Sequence, residues 1–249
     1  MAKLKGIVKF NGTIDDLTIA KTQDGYIVKQ KTTFNGNRIK TEAAFARTRE
    51  NMSEFSSSAK DGKLLRMALH TYMVNAKDNR VTSRLTKLMS EILKLDATSI
   101  RGLRTVGTAI SLPNAMLMLQ GFNFNIKSTM SEVLLAPYTV TTATGAITIP
   151  NLFPANDVIA PAGATHFSLQ AVWGKVDFTN KVFNVQSSPI TNTALTAASS
   201  TITLTPTAVP TGTGTNVYLL LIQFYQMVNT VQYVLRNGSY NSLAIVLVA

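Results

Sequence analysis

The chain has 249 residues, no cysteine and a formal net charge of +11, with 45% hydrophobic and 15% charged residues. This composition excludes disulfides and thiolate metal sites, and it excludes an unfolded chain, because so much apolar material supports a buried core. The charge is uneven: residues 1–105 hold 20 of the 24 Lys and Arg and 10 of the 13 Asp and Glu, which leaves four basic and three acidic residues for 106–249.

In chain order, Lys3–Phe10 alternates Lys with apolar residues and reads as a strand. It lacks the apolar core of about 7–15 residues that a secretory signal needs. Leu17–Thr22 and Tyr26–Lys31 read as a hairpin around Asp24-Gly25, a dipeptide suited to the positive φ of a tight turn. A loop follows at Asn35-Gly36-Asn37. Residues 42–95 read as helices, the first over Ala43–Phe55. A second spans Lys63–Asn75, with apolar residues at 64, 65, 68, 69, 72 and 73 on one broad face. Asp78 is placed to cap a third that runs to about Leu95, with Val81, Leu85, Leu88, Met89 and Ile92 in one stripe. Pro113 starts a short helix that Gly121 ends, and Gly121–Asn125 reads as a turn into a strand.

Beyond residue 130 the pattern becomes short strands rich in Thr and Val, with prolines between them. Strands are expected near 133–141, 146–150, 165–173, 182–186, 200–205, 216–228, 231–237 and 243–248. Such spacing predicts an antiparallel immunoglobulin-like β-sandwich, with Trp173 as a candidate core residue. The expected fold is therefore α+β. A basic β-hairpin and helical region over 1–127 precedes a sandwich domain over 128–249. The longest apolar run, Val217–Val228, contains Gln223 and Gln226 and is too short to span a bilayer, so no transmembrane segment is expected. Without a signal peptide, the expected location is the cytoplasm or an assembled particle.

The sequence offers no arrangement suited to catalysis. Nucleophilic chemistry needs an activated Ser or Cys beside a base, and the only histidines, His70 and His166, have no nearby carboxylate cluster. Structural or exposed positions are expected for both. Asp15-Asp16 suits a turn, since adjacent strand residues point to opposite faces. Asp61-Gly62-Lys63 lacks the upstream glycine of a phosphate loop, and Gly212-Thr213-Gly214 lacks the third glycine of a dinucleotide fingerprint. No cofactor, metal or small-molecule substrate is expected.

The basic residues are the one signal that stands out. Arg80, Arg84 and Lys87 form a stripe on the third helix, and Lys63 and Arg66 lie on the second. Together they are the candidate nucleic-acid-binding residues, suited to phosphates. A solvated helical face is the competing reading, because Glu42, Glu50, Glu54, Asp61 and Asp78 dilute the patch and no aromatics are interleaved for base stacking.

Four segments carry a resemblance. They are Lys21–Tyr26 in the hairpin, Phe45–Asn51 with Glu54-Phe55, Gly62–Arg66, and Gly121–Asn125. Through them the N-terminal half resembles a family of Bacteroidota proteins to which no activity is assigned, so the resemblance implies no function.

The reading that follows is a non-enzymatic structural subunit that assembles with copies of itself as a filament, tube or virus-like particle. Its motives are the low charge of 106–249, the missing active-site chemistry, and the apolar segment Ala244–Ala249. That strand has no charge or proline to blunt a free edge, so it is expected to be central in its sheet or paired between subunits. The alternative is a nucleic-acid-binding protein that uses the basic helical region.

Overall fold

The structure, a computed structural model, describes residues 2–3, 11–31, 36–235 and 240–249. The expected strand over Lys3–Phe10 therefore lies almost wholly outside the described residues, as do Asn35 and the end of the strand expected at 231–237. Helices and antiparallel sheets are both present, as an α+β chain requires. The chain divides into two compact units, Met1–Arg49 and Glu50–Ala249.

The first unit holds a four-stranded antiparallel sheet of β1 (Ala2–Lys3), β2 (Gly12–Ile14), β3 (Leu17–Thr22) and β4 (Gly25–Gln30), in the order β1-β4-β3-β2. Asp15-Asp16 forms the two-residue turn between β2 and β3, where Ile14 pairs with Leu17 and Asp15 takes a φ of 48°. Thr22 pairs with Gly25, whose φ of 110° lets the second hairpin close. The short helix α1 (Gly36–Thr41) carries an Arg38–Glu42 ion pair, and Arg49 donates to the carbonyls of Ile39 and Glu42.

The second unit takes up the long helix α2 (Ala46–Ala68) from Glu50 onward. The two helices expected over Ala43–Phe55 and Lys63–Asn75 are largely this one element. Its middle turns bury Glu54, Ser58, Asp61 and Gly62, a face too polar and too small to register as an apolar stripe. The expected apolar positions hold: Leu64, Leu65, Ala68, Leu69 and Met73 are buried, the last in α3 (His70–Met73). Helix α4 (Val81–Leu93) buries Val81, Leu85, Met89 and Ile92 as expected. Asp78 acts two residues ahead of the helix's N-cap position, accepting from the Arg80 N–H at 2.6 Å. Helices α5 (Val106–Ala109) and α6 (Pro113–Leu119) complete this layer.

The residues expected to open a strand at 133 instead close a helical turn, α7 (Met130–Val133), fixed by a capping box between Thr129 and Glu132. Strand β5 is only Thr139–Thr141. After β6 (Ala146–Leu152) and the turn α8 (Pro154–Asp157) come β7 (His166–Asp177), β8 (Val182–Ser187), β9 (Thr191–Ala194) and β10 (Ser200–Leu204). Strands β11 (Thr215–Val228), β12 (Val231–Val234) and β13 (Ser242–Val248) end the chain.

These strands form two antiparallel sheets. The smaller is β10-β6-β5; the larger has six strands around the β7–β11 pair, with β12 and β13 on β11 and β8 and β9 on β7. Both faces of the larger sheet are apolar, which its central strands announce as near-continuous hydrophobic runs. On one face Val172, Val176, Val217, Leu219, Leu221, Leu243 and Ile245 share a core with Leu65, Leu69, Leu85, Met89, Ile92 and Leu119 of the helices. On the other, Phe167, Leu169, Ala171, Leu220, Ile222 and Phe224 pack against Ile147, Ile149, Ile202 and Leu204 of the smaller sheet. The helices thus cover the sheet rather than precede it, and the expected boundary near residue 127 falls inside a shared core. Trp173 is buried, stacked on Tyr218 at 5.3 Å on the face toward the smaller sheet.

Candidate functional site

The basic stripe expected on α4 is not assembled as a charged face. Arg84 turns inward, with its side chain 24% exposed. Its guanidinium pairs with Asp78 and donates to the carbonyls of Asn123 and Phe124 at 2.9 and 3.2 Å, while it lies 5.0 Å over the Phe122 ring. Burial raises the Asp78 carboxyl, but the Ile126 and Arg80 N–H groups and Arg84 outweigh it and hold the group below the ordinary range. Arg84 is thus a clamp between α4 and the segment 121–125. Lys87 is exposed and pairs loosely with Glu91 at 3.8 Å, and Arg80 is exposed at the start of the helix.

Lys63 and Arg66 are brought together instead with His70, which the helical spacing already sets near Lys63, and with Lys77, which that spacing does not bring to them. They line a cavity of about 400 Å³ with His70 and Lys77, over a floor that includes Met73, Val81 and Phe183. Lys63 and Arg66 stand one turn apart on α2, and His70 follows one turn later. The hairpin tip of β8 brings Phe183 to the group, a long-range placement that helical periodicity cannot reveal. Among the described residues no carboxylate lines this cavity. Farther along α4 a second cavity of about 590 Å³ is lined by Phe55, Thr86, Lys87 and Glu91.

The buried carboxylates are engaged in holding turns. Asp96 accepts from the Thr98, Ser99 and Thr105 N–H groups after α4, and these bonds outweigh burial and lower its carboxyl far below the usual range. Asp177 accepts from the Thr179 and Asn180 N–H groups, the Asn180 amide and the Thr213 hydroxyl; the Asn180 N–H bond contributes most to an equally strong lowering. For Glu54, burial is outweighed by the Arg104 guanidinium and the Gly102 N–H. Asp61 is the exception: burial raises its carboxyl despite the ion pair with Lys181. His166 contacts the Thr165 hydroxyl at 3.0 Å, and His70 lines the cavity described above. Among the described residues no group of three or more His, Asp or Glu is placed to hold a metal, and no helix is long and apolar enough to cross a membrane.

The smaller sheet presents an uncharged outer face. Thr139, Thr148 and Thr203 lie side by side across β5, β6 and β10, and Thr141 extends the row. The alternation expected in Thr201–Thr205 holds: Ile202 and Leu204 are buried, and Thr201, Thr203 and Thr205 are exposed. Thr201 also sits at a bulge, where its hydroxyl accepts from the Asn151 N–H at 3.3 Å. Strands β5 and β10 each pair on one side only among the described residues, and neither contains a charge or a proline. Strand β13 differs from both arrangements expected for it. Its inner edge pairs with β11, and its outer edge is covered by the chain itself: Gly121 and Phe124 donate to the carbonyls of Ile245 and Leu243, and Ile245 donates to Phe122. No protein-family model, curated protein or solved structure matches the chain. The family resemblance of the N-terminal half therefore rests on its four sequence segments alone.

Proposed function

We propose that the protein is a non-enzymatic structural subunit that assembles with copies of itself as a filament, tube or virus-like particle. The observation that carries this reading is the threonine row on the outer face of the β10-β6-β5 sheet, whose three strands contain no charged residue. A hydroxyl face is soluble, repels nothing and is cheap to desolvate when its groups find partners. The edges of β5 and β10, unguarded by charge or proline, add backbone groups open to pairing. The covered edge of β13 withdraws that strand from the argument, and assembly is placed on the smaller sheet instead. Nucleic-acid binding is the weaker reading, because Arg84 is consumed by Asp78 and the 123–124 carbonyls.

For the fold, the proposal keeps a sandwich relation between the two sheets, supported by Trp173 packed between them. It departs from an immunoglobulin domain in the helices that cover the other face of the larger sheet. Sedimentation of the intact protein tests the function. Assembled species are expected, and Thr203→Lys should shift them toward monomer while changing stability by no more than about 0.5 kcal/mol. Thr203 is the cleaner site, since the Thr201 hydroxyl also serves the Asn151 N–H. A sharp monomer at every accessible concentration would refute the reading.

A further inference from the structure

The cavity between α2, α3, the start of α4 and β8 has a chemistry that the assembly reading does not use. We infer that it is a binding site for a small amphiphilic anion, a carboxylate or phosphate carried on an apolar body. Lys63, Arg66 and Lys77 converge on it, and none of them forms an ion pair among the described residues. With no carboxylate in the lining among the described residues, the like charges of these cations are not offset within the cavity. The Arg66 Nε is buried and has no hydrogen-bond partner, an unsatisfied donor on a residue of the lining. Helix α4 opens on the same cavity through Val81 and Thr82, and its N-cap residue, Arg80, makes no side-chain cap.

The other half of the lining decides the class of ligand. Met67, Met73, Val81 and Phe183 give apolar surface beside the cations, and Phe183 stays 41% exposed. A bare inorganic anion would satisfy the charges and leave this surface wet. A single-stranded nucleic acid would need a longer track of cations with stacking rings, whereas the site is one compartment of about 400 Å³. That volume lies within the range of small-molecule pockets, roughly 300–1,000 Å³. A charged head with a chain or ring of about ten carbons matches both halves.

Calorimetric titration of the full chain with decanoate, below its micelle concentration, tests this. Inorganic phosphate, decyltrimethylammonium and a short single-stranded oligonucleotide serve as comparison ligands. Decanoate is expected to bind saturably and more tightly than phosphate, to weaken as salt rises, and to be unaffected by decyltrimethylammonium. The variant Lys63→Gln/Arg66→Gln/Lys77→Gln should lose at least about tenfold in affinity, and Phe183→Asp, which places a carboxylate on the apolar wall, should lose a similar factor. Lys87→Gln, outside the cavity, should bind as the parent does, and circular dichroism checks that each variant is folded. The inference is overturned if decanoate does not bind, if the cavity variants bind it unchanged, if phosphate binds as tightly, or if the oligonucleotide binds and decanoate does not displace it. Sedimentation with and without decanoate keeps this outcome separate from that of the assembly proposal.

Discussion

At the scale of single residues, a charged side chain in this protein means what its neighbours make it mean. Arg84 and Lys87 look equivalent on a helical projection, yet one is a half-buried clamp and the other a solvated cation. Arg84→Met would leave Asp78 short of a partner and the Asn123 and Phe124 carbonyls without their donor. A loss of about 2–4 kcal/mol is expected in urea unfolding, against less than about 0.5 kcal/mol for Lys87→Met. The carboxylates allow a second expectation, this time in pH. Glu54, Asp78, Asp96 and Asp177 are all lowered in the folded chain. Folding therefore favours their ionised forms. The stability they contribute is complete above the ordinary carboxylate range near pH 4 and is lost as pH falls below it. Asp61, raised by burial, acts in the opposite sense and costs stability above its folded value. With four groups against one, the urea midpoint should drop steeply below about pH 4. Asp96→Asn should be less stable than the parent at pH 6 and converge with it in acid. A parallel fall of both proteins would show that Asp96 does not contribute through its charge.

Among the elements, the ones legible in the sequence are those whose burial follows a simple period. Strand β10 alternates, α4 carries an apolar stripe, and β11 is apolar on both faces; each lies within a few residues of its expected span. Elements were missed where the stabilising contacts are polar or distant. The middle of α2 hides behind Ser58, Asp61 and Gly62, whose packing against α4 and the Lys181 hairpin is long-range. The four-residue β9 has no apolar alternation to announce it, and α7 depends on one capping box. The cover over β13 could not be read at all, because it is backbone hydrogen bonding to a segment more than a hundred residues away. Gly62 makes the α2 point testable. A Cβ built there would meet Leu85 at 3.6 Å, an ordinary contact. Gly62→Ala should therefore stabilise the protein by up to about 1 kcal/mol through helix propensity. Gly62→Leu should destabilise it by about 1–3 kcal/mol through overpacking against α4. If Gly62→Ala is instead strongly destabilising, α2 and α4 are packed more tightly than this distance implies.

At the scale of the whole second unit, the helices and the smaller sheet are bound to opposite faces of one six-stranded sheet, and this determines how the chain should unfold. A boundary near residue 127 would make 128–249 an autonomous domain. Removing the helices, however, would bare Val172, Val176, Val217, Leu219, Leu221, Leu243 and Ile245 together. Exposed apolar patches of that extent aggregate. The fragment 128–249 is therefore expected to clump through this face, and such clumping says nothing about native assembly. The fragment 46–249 keeps α2 whole and retains both cores. Two probes separate the layers: Trp173, the only tryptophan, reports the core between the sheets, and far-UV circular dichroism reports the helices as well. Because β7 and β11 contribute side chains to both cores, neither layer can leave without disturbing the strands that hold the other. The urea transitions of 46–249 followed by tryptophan fluorescence and by circular dichroism should coincide, and Leu219→Ala, a cavity on the helical side, should move both midpoints by the same amount, with a cost of about 2–5 kcal/mol. Separate transitions, with Leu219→Ala moving only the one reported by circular dichroism, would show that the helical layer and the sheets fold independently, as the sequence alone led one to expect.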